Sequence, residues 1–254
     1  MRVKDHVDVA KRDVKDDRPA VTLSYAQTLD GRLATSTGSS QWISAPESLC
    51  FSHELRAEHD AIMVGAGTVW KDDPRLTVRL VAGQNPLRVV VDSTLRTPLS
   101  AAVLTEEAAP NTVLAVTDRA PAAKRDKVRA LGATVLSVPA QSGGRVDLVA
   151  LLAALHERGI RSLLVEGGAE LITALLHARL VDRLVVCVAP KILGAGIEAV
   201  GDLGIRELAR ALIMTDTSIA PCGVDLILDS RVEYPGTVAM SLESKERIGC
   251  VTAS

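Results

Sequence analysis

Aromatic residues are scarce in this chain. Only five of its 254 residues are Phe, Trp or Tyr, too few for the stacking platforms by which proteins bind single-stranded nucleic acid. The formal net charge of −2 also lacks the positive excess that binding to a phosphate backbone requires. We therefore expect no nucleic-acid partner, and a core built from Leu, Val, Ile and Ala.

Motifs for metal binding are also missing. The cysteines form no C-x-x-C pair, and the two histidines of "HELRAEH", residues 53–59, are six positions apart, whereas the zincin helix needs a spacing of four. "PCG" at 221–223 is not the P-C-x-x-C of a zinc deaminase, and no H-x-E precedes it. The sequence therefore predicts no metal site and reduced cysteines, which are Cys50, Cys187, Cys222 and Cys250.

Long apolar runs are absent too. No stretch of 18 apolar residues exists, and the charged N-terminus, "MRVKDHVDVAKRDVKDDR", has no apolar signal-peptide core. These absences predict a protein that does not enter a membrane, and a cytoplasmic location. We expect a charged tail over residues 1–19, one domain over 20–235 and an extension over 236–254.

Short, nearly continuous apolar runs alternate with helical stretches between residues 20 and 190. Such runs are typical of strands covered on both faces, and the alternation predicts a largely parallel, three-layer α/β fold. Gly132 and Gly159 are positioned to end two of the helices. Ser44 and Glu47 form an S-x-x-E capping box, which predicts a helix that runs to about Glu58. A last strand, "VDLILDSRVEY", has no helix after it and predicts an antiparallel edge.

Unusual residues follow several of the predicted strands. Ligands of open α/β sheets bind beyond the carboxyl ends of the strands. A glycine pair that opens a helix there lets an anion approach the backbone and the helix N-terminus. Such positions follow three strands: Gly65, Gly67 and Thr68; Asp92 and Ser93; and Glu166, Gly167 and Gly168. A tight structural turn explains the glycines equally well, but a carboxylate at the end of a buried strand needs a partner or a function.

The stretch "DDPRLTVR", residues 72–79, combines two acids, a proline and two arginines. Pro74 disfavours helix at Asp73 and predicts a turn, after which Arg75 and Arg79 offer forked donors suited to phosphate or carboxylate. A solvated surface turn is the competing interpretation. Trp42 stands in a polar segment, so it either packs on a flat ligand ring or caps the edge of the core.

Taken together, these motifs resemble the reductase domain of riboflavin biosynthesis. That domain is the C-terminal half of the bacterial bifunctional pyrimidine deaminase/reductase, and it occurs alone in archaea and fungi. The matching strings, in the order of the family, are "TLDGRLAT", "GSSQWIS", "LRAEHDAIMVGAGTVWKDDPRLTVR", "NPLRVVVDS", "LLVEGGAEL" and "LVDRLVVCVAPKILGAG". The resemblance implies a dihydrofolate-reductase-like α/β fold, with a mostly parallel central sheet and an antiparallel C-terminal edge.

The resemblance also implies the reaction and its residues. NADPH would reduce the ribosylamino group of a pyrimidine 5′-phosphate to ribitylamino. Glu166 would be the catalytic residue, because opening of the sugar ring needs a proton transfer. The implied substrate-binding residues are Ser40, Arg56, Leu76, Arg79, Glu166 and Arg32, and the implied cofactor-binding residues are Ala26, Trp42, Thr68, Asp72, Ser93, Gly168, Ala169, Glu170, Leu171, Ile172, Thr173 and Ala174. Arg32 stands where many members have Lys, and since Arg hardly deprotonates we expect it to act by position or charge.

The resemblance further implies a homodimer, for which "LVDRLVVCVAPKIL" offers an apolar strand that could pair across an interface. A separate deaminase is a possible partner, since this sequence has no deaminase motif. The substrate could be the deaminated or the undeaminated pyrimidine. Two other functions stay open: a diverged reductase of the same fold acting on another pteridine- or pyrimidine-like substrate, and a non-catalytic nucleotide-binding partner of a deaminase.

Overall fold

The structure, a computed structural model, describes residues 16–41 and 43–236. Eleven strands lie within these residues, numbered in chain order: β1 (Ala20–Thr28), β2 (Arg32–Thr35), β3 (Ala61–Gly65), β4 (Leu87–Val91), β5 (Thr112–Val116), β6 (Thr134–Ser137), β7 (Ser162–Glu166), β8 (Arg183–Ala189), β9 (Gly196–Glu198), β10 (Ile213–Cys222) and β11 (Asp225–Glu233). Five α-helices accompany them: α1 (Pro46–Glu58), α2 (Ala66–Asp72), α3 (Ala122–Ala130), α4 (Leu148–Glu157) and α5 (Ala169–His177).

Nine of these strands form one sheet, in the order β10-β11-β8-β1-β7-β3-β4-β5-β6. The seven strands from β8 to β6 are parallel, whereas β11 runs antiparallel to β8 and β10 antiparallel to β11. The predicted mostly parallel sheet with an antiparallel C-terminal end is therefore confirmed.

Two details of that end differ from the prediction. The last strand, β11, is not the edge, because β10 lies outside it. β10 was missed because polar residues and a proline interrupt the apolar residues of its sequence, "IMTDTSIAPC". The strand β8 lies between β1 and β11, so both of its edges are paired and it cannot form the intermolecular pairing expected of it.

Helices cover both faces of the sheet. On one face, buried leucines of α4 and α5 pack against alternate residues of the central strands, such as Val21, Leu23 and Met63. On the other face, α1, α2 and α3 pack against the intervening residues, such as Ile62 and Val64. Because both faces are covered, the central strands are apolar at almost every position, and this explains the continuous runs that predicted the three layers.

Two of the predicted helix ends are confirmed and one start is not. Gly132 and Gly159 follow α3 and α4 with φ of +93° and +86°, the left-handed conformation that glycine adopts without a steric penalty. The capping box at the start of α1 is wrong. The N-cap is Ala45, which makes no side-chain cap, and Pro46 occupies the first turn.

Asp225 of β11 caps α1 instead. Its Oδ2 accepts the amide of Ala45 at 2.6 Å and the hydroxyl of Ser48 at 2.7 Å. The cap comes from a strand 180 residues away in sequence, so no local pattern could have shown it. Asp225 thereby fixes where α1 begins relative to the sheet.

The predicted division of the chain stays a prediction, because residues 1–15 and 237–254 lie outside the described residues. Arg18, near the end of the predicted tail, donates two hydrogen bonds to Asp182, of 2.7 and 2.8 Å, so this part of the tail is attached to the domain. None of the described helices has the length and apolar character that a bilayer crossing requires.

Candidate active site

A cavity of about 1080 Å³ lies at the carboxyl ends of four adjacent strands, β1, β7, β3 and β4. Each strand contributes residues from or just beyond its end: Ala26 from β1, Glu166 from β7, Gly65 from β3 and Ser93 after β4. This is the edge at which open α/β sheets bind ligands. This volume is at the upper end of the range for small-molecule pockets.

The structure brings most of the expected site residues to this cavity. Twelve of them line it: Ala26, Ser40, Arg56, Thr68, Asp72, Ser93, Glu166, Gly168, Ala169, Glu170, Leu171 and Ala174. Five described residues do not: Arg32, Leu76, Arg79, Ile172 and Thr173. Trp42 lies outside the described residues. The assigned roles stay predictions, since lining a cavity does not assign a ligand.

Arg56 and Glu166 form a two-pronged ion pair at the cavity wall. The Nε of Arg56 donates to Oε1 of Glu166 at 2.7 Å, and its Nη2 donates to Oε2 at 2.6 Å. Burial alone would lower the pKa of the Arg56 guanidinium, but the Glu166 charge and hydrogen bonds outweigh burial and raise it. The carboxylate at the end of β7 thus has a partner, and each of its oxygens keeps lone pairs for a further donor.

The segment from Asp73 to Arg79 forms no regular secondary structure, and four side chains from elsewhere in the chain hold its backbone. Arg88 Nε donates to the carbonyl of Arg75 (3.0 Å), Arg56 Nη1 donates to the carbonyl of Thr77 (3.1 Å), the amide of Val78 donates to Asn85 Oδ1 (2.8 Å), and the amide of Arg79 donates to His53 Nδ1 (3.1 Å). In a fifth contact the segment supplies the side chain, because Asp73 Oδ1 accepts from the amide of Ala102 at 2.7 Å. The backbone of the arginine-bearing segment is therefore fixed, while the side chains of Arg75 and Arg79 are exposed.

Two residues of this segment are held in the left-handed region. Asp73 has φ of +40° and Leu76 has φ of +52°, a conformation that costs a non-glycine residue about 1–2 kcal/mol. The side chain of Leu76 is only 2% exposed and packs in the core below the segment, which explains why it does not line the cavity. Strain that the surrounding contacts maintain is typical of functional loops.

Arg79 and Arg75 are exposed cations beside the Arg56–Glu166 pair. Partial burial, then the charges of Arg56 and Arg75, lower the pKa of Arg79, while Glu166 acts in the opposite direction. Among the described residues, neither Arg75 nor Arg79 has an ion pair. The segment therefore presents two uncompensated positive charges next to the cavity.

The turn between β7 and α5 requires its two glycines. Gly167 and Gly168 both have φ of +81°, and a Cβ on Gly168 would lie 3.2 Å from Oγ1 of Thr68. Gly168 is the N-cap of α5, and no side chain caps that helix. The first amides of α5 therefore face the cavity without a side-chain acceptor, an arrangement suited to an anion.

The two residues after β4 have different hydrogen-bond partners. Asp92 is 2% exposed, and its Oδ2 accepts both the amide and the hydroxyl of Thr97, at 2.6 and 2.8 Å. The carboxylate of Asp92 therefore stabilises the turn that leads from β4 to Thr97. Ser93, the next residue, lines the cavity and its hydroxyl accepts the amide of Val146 at 3.0 Å.

Arg32 lies on a small two-stranded sheet, β2–β9, at the cavity rim. Its Nε donates to the carbonyl of Gly194, and its Nη1 pairs with Glu198, both at 2.8 Å. The neighbouring Leu33, Ala34 and Ile197 line the cavity. Arg32 thus stabilises the sheet that forms this rim, and the structure does not bring its side chain to the cavity.

Sequence reasoning missed two groups of residues. Three arginines, Arg96, Arg119 and Arg145, line the cavity but belong to loops that are distant in sequence, so only the fold brings them together. His53, which contacts the amide of Arg79, was considered only as a zinc ligand. His53 and Arg56 are three positions apart on a predicted helix, so both lie on one helix face. This spacing was the signal that could have revealed His53.

Two weak acids in the cavity stay protonated. Burial is the main cause that raises the pKa of the Cys187 thiol to about 12, and burial raises the pKa of Tyr25 to about 12 as well. The thiol donates to Asp225 at 3.5 Å. A thiol that is not ionised is a poor nucleophile, so this lining does not support covalent catalysis by cysteine.

A metal centre is not apparent in the same region. Within residues 16–41 and 43–236, no group of three or more His, Cys, Asp or Glu side chains is arranged to hold an ion. His59, the second histidine of "HELRAEH", contacts the carbonyl of Leu55 and the hydroxyl of Thr22.

Solved structures share this fold. A RibD from Acinetobacter baumannii (form 1) superposes with a TM-score of 0.74 at 28% identity, and the match covers 86% of this chain and 59% of that chain. The expected dihydrofolate-reductase-like fold class is confirmed by this match together with the sheet order.

Comparison of sequences gives the family. The RibD C-terminal domain matches residues 19–228. A 2,5-diamino-6-ribosylamino-4(3H)-pyrimidinone 5′-phosphate reductase from Methanothermobacter thermautotrophicus is 46% identical over 222 residues, which cover 85% of this chain and 99% of the relative. A riboflavin biosynthesis protein RibD from Aquifex aeolicus is 42% identical over 216 residues, covering 85% of this chain but 58% of that protein, so the chain spans little more than half of it. The resemblance drawn from the motifs is confirmed, and the chain belongs to the RibD C-terminal domain family.

Proposed function

We propose that this chain is an NADPH-dependent reductase that converts the ribosylamino group of a pyrimidine 5′-phosphate to ribitylamino. The observation that carries the proposal is one cavity that joins an uncapped helix N-terminus after a glycine pair to the Arg56–Glu166 ion pair. The first feature suits the pyrophosphate of a dinucleotide, and the second suits a polar sugar. The Methanothermobacter relative, which aligns over 99% of its length, is named for this reaction.

The fit to a nicotinamide dinucleotide rests on the glycine turn. A side chain on Gly168 would approach Thr68 and fill the space before α5, so the glycine keeps a cradle open for phosphate. Thr68, Asp72 and Ser93 would hold the rest of the cofactor, with the first turns of α5. When bound, the nicotinamide supplies the hydride, and the chain's own task is to orient the substrate carbon against it.

The region after β4 favours NADPH over NADH. In NADH sites an acidic residue binds the ribose 2′-hydroxyl, whereas arginine accommodates the 2′-phosphate of NADPH. Here Asp92 is occupied by Thr97, and Arg96 and Arg119 line the cavity close by in the fold. We therefore assign the 2′-phosphate to these arginines.

The substrate phosphate is assigned to Arg79, with Arg75 beside it. Both are uncompensated by carboxylates in the described part of the chain, and a guanidinium binds phosphate through two parallel hydrogen bonds. Ser40 and Arg56 line the cavity, and Arg56 contacts both this segment and Glu166, which precedes the glycine turn. The proposed substrate would thus extend from Arg79 to the nicotinamide.

Glu166 is assigned the proton transfer. The furanose ring must open before hydride can reach C1′: the C1′–O4′ bond breaks, the amino nitrogen gives up its proton as it forms an imine with C1′, and O4′ gains a proton. Addition of hydride to C1′, with a proton from solvent to the imine nitrogen, would complete the reduction. Glu166 keeps lone pairs beside its contacts with Arg56. A sugar hydroxyl can therefore donate a hydrogen bond to Glu166, and the hydroxyl proton can be relayed through the carboxylate.

The assembly proposals are a homodimer and a separate deaminase. The β10–β11 end of the sheet supports the homodimer, because the edge strand β10 exposes Ile213 and Ile219, and Val224 and Leu226 are exposed beside it. The separate deaminase is proposed from the resemblance to the bifunctional deaminase/reductase alone.

A thermal-shift titration tests cofactor binding first. The melting temperature should rise with NADPH according to RT ln(1+[L]/Kd), and it should rise less with NADH at equal concentration. No shift at millimolar NADPH would contradict the reductase and favour a non-catalytic nucleotide-independent role.

A further inference from the structure

His53 is a buried, polar side chain with no role in the proposed reaction. It lies on α1, its exposed fraction is 0%, and its Nδ1 accepts the amide of Arg79 at 3.1 Å. In the described part of the chain its Nε2 has no hydrogen-bond partner. Burying a polar atom without a partner costs free energy, which a useful contact at Nδ1 would offset.

The imidazole is neutral at physiological pH. Since Nδ1 accepts a hydrogen bond, the single ring proton is on Nε2. Burial, and then the charges of Arg56 on its own helix and Arg79 on the neighbouring segment, lower the pKa of His53 to about 4, while Glu166 on β7 acts in the opposite direction. Nδ1 therefore stays an acceptor for the Arg79 amide, because burial and then the two cations oppose protonation of the ring.

His53 acts together with the residue one helical turn further on. Arg56 donates from Nη1 to the carbonyl of Thr77 at 3.1 Å, while His53 accepts the amide of Arg79. Residues three apart share a helix face, so a single face of α1 holds a carbonyl and an amide that are two residues apart. The same Arg56 binds Glu166, which ties the segment to the end of β7.

We propose that His53 is a positioning residue that fixes the backbone at Arg79, so that the guanidinium of Arg79 is oriented toward the phosphate of the substrate. Without this contact, the amide of Arg79 loses its acceptor, and the backbone that sets the direction of the guanidinium is no longer fixed. The identity of the phosphate rests on the proposed function, but the contact between His53 and Arg79 does not.

Two substitutions at His53 distinguish loss of the hydrogen bond to the Arg79 amide from loss of stability. In His53→Asn the side-chain oxygen takes the position of Nδ1, so the acceptor is kept. In His53→Gln the amide lies one bond further out, near the position of Nε2, and the acceptor is lost. Both replacements are polar and similar in size, so urea denaturation should show that the two variants have similar stability. His156→Asn, on α4 away from the cavity lining, is the control.

The measurement is a double-mutant cycle with Arg79→Ala. Calorimetric titration with ribose 5-phosphate, and with ribose as the phosphate-free comparison, gives the affinity without turnover. We expect His53→Gln to weaken binding of ribose 5-phosphate by about tenfold, the scale of losing one hydrogen bond to a buried group. We expect His53→Asn and His156→Asn to stay within about twofold of the parent.

The double variant decides the mechanism. If His53 acts through Arg79, His53→Gln combined with Arg79→Ala should bind no more weakly than Arg79→Ala alone, and in turnover the KM for the pyrimidine phosphate should rise while kcat and the KM for NADPH do not. Three results would each overturn the proposal. The affinity losses of the two single variants could multiply in the double variant, or His53→Asn could bind as weakly as His53→Gln. The third is a parent protein that binds ribose 5-phosphate no better than ribose. The expected cycle without any NADPH oxidation would contradict the proposed reaction and leave the positioning role intact.

Discussion

Replacing Glu166 by Gln separates its chemical role from its structural one. Gln keeps the size of the side chain, but its amide nitrogen faces a guanidinium nitrogen of Arg56, so one of the two hydrogen bonds of 2.7 and 2.6 Å is lost. The side chains of Arg56 and Glu166 are 11% and 20% exposed. Removing one partner of a fully buried pair costs about 3–5 kcal/mol, and with this residual exposure we expect about 2–3 kcal/mol of unfolding free energy.

A matched pair elsewhere in the sheet provides the control. Arg183 and Asp229 are joined by the same two-pronged contact, at 2.7 and 2.6 Å, with side chains 14% and 10% exposed, and neither lines the cavity. Asp229→Asn should therefore lose a similar unfolding free energy in urea denaturation. Its kcat should stay close to that of the parent.

Steady-state NADPH oxidation then isolates the chemistry. General acid–base groups contribute roughly 10²–10⁴-fold, so Glu166→Gln should lose about that factor in kcat while Asp229→Asn does not. If both variants lose the same stability and both keep kcat, Glu166 does not move the proton. The chain would then only position an imine that opens in solution.

Three further outcomes follow from the geometry. Arg79→Ala should raise the KM for the pyrimidine phosphate and leave kcat nearly unchanged, because the phosphate charge is the same in ground and transition states; a proportional fall in kcat would refute this. Gly168→Ala should weaken NADPH binding about tenfold in a fluorescence titration, since φ is +81° there, whereas Gly204→Ala, equally strained at +72° but away from the cavity, should not. The pKa of His53 is lowered from 6.5 to about 4, so its contribution to folding is complete above pH 6.5 and is lost as the pH falls toward 4. His53→Asn should therefore flatten the pH dependence of the unfolding free energy, measured by urea denaturation, between these two values.

The central layers of the fold could be predicted from the sequence because both faces of the sheet are covered. Each inner strand reads as an unbroken apolar run, and glycines mark the ends of α3 and α4. The strands β2, β9 and β10 could not be predicted in the same way, because they are short or half exposed and their residues are mixed in polarity. The start of α1 depends on Asp225, a contact over 180 positions.

The candidate site also contains residues that local sequence patterns reveal and residues that only the fold brings together. Glu166 and Gly168 were visible because strand ends and glycine pairs are local patterns. The grouping of Arg96, Arg119 and Arg145 depends on loops that only the sheet order brings together. Arg32 was expected at the substrate from the resemblance alone, whereas in the structure its charge is paired with Glu198.

The roles of His53 and Arg88 needed the structure for a different reason. Each binds the backbone of the segment from Asp73 to Arg79, and a backbone contact leaves no pattern in the partner's side chains. Sequence motifs therefore identify the residues that face a ligand more readily than the residues that hold them in place.

The most direct test of the account is turnover of the ribosylamino pyrimidine 5′-phosphate, in its deaminated and undeaminated forms, with NADPH and product analysis by mass spectrometry. We expect one of the two forms to gain two hydrogen atoms at the sugar, with one NADPH oxidised per product and much less product with NADH. NADPH that binds in the thermal-shift assay but is not oxidised with either pyrimidine, by a folded protein, would contradict the proposed reaction.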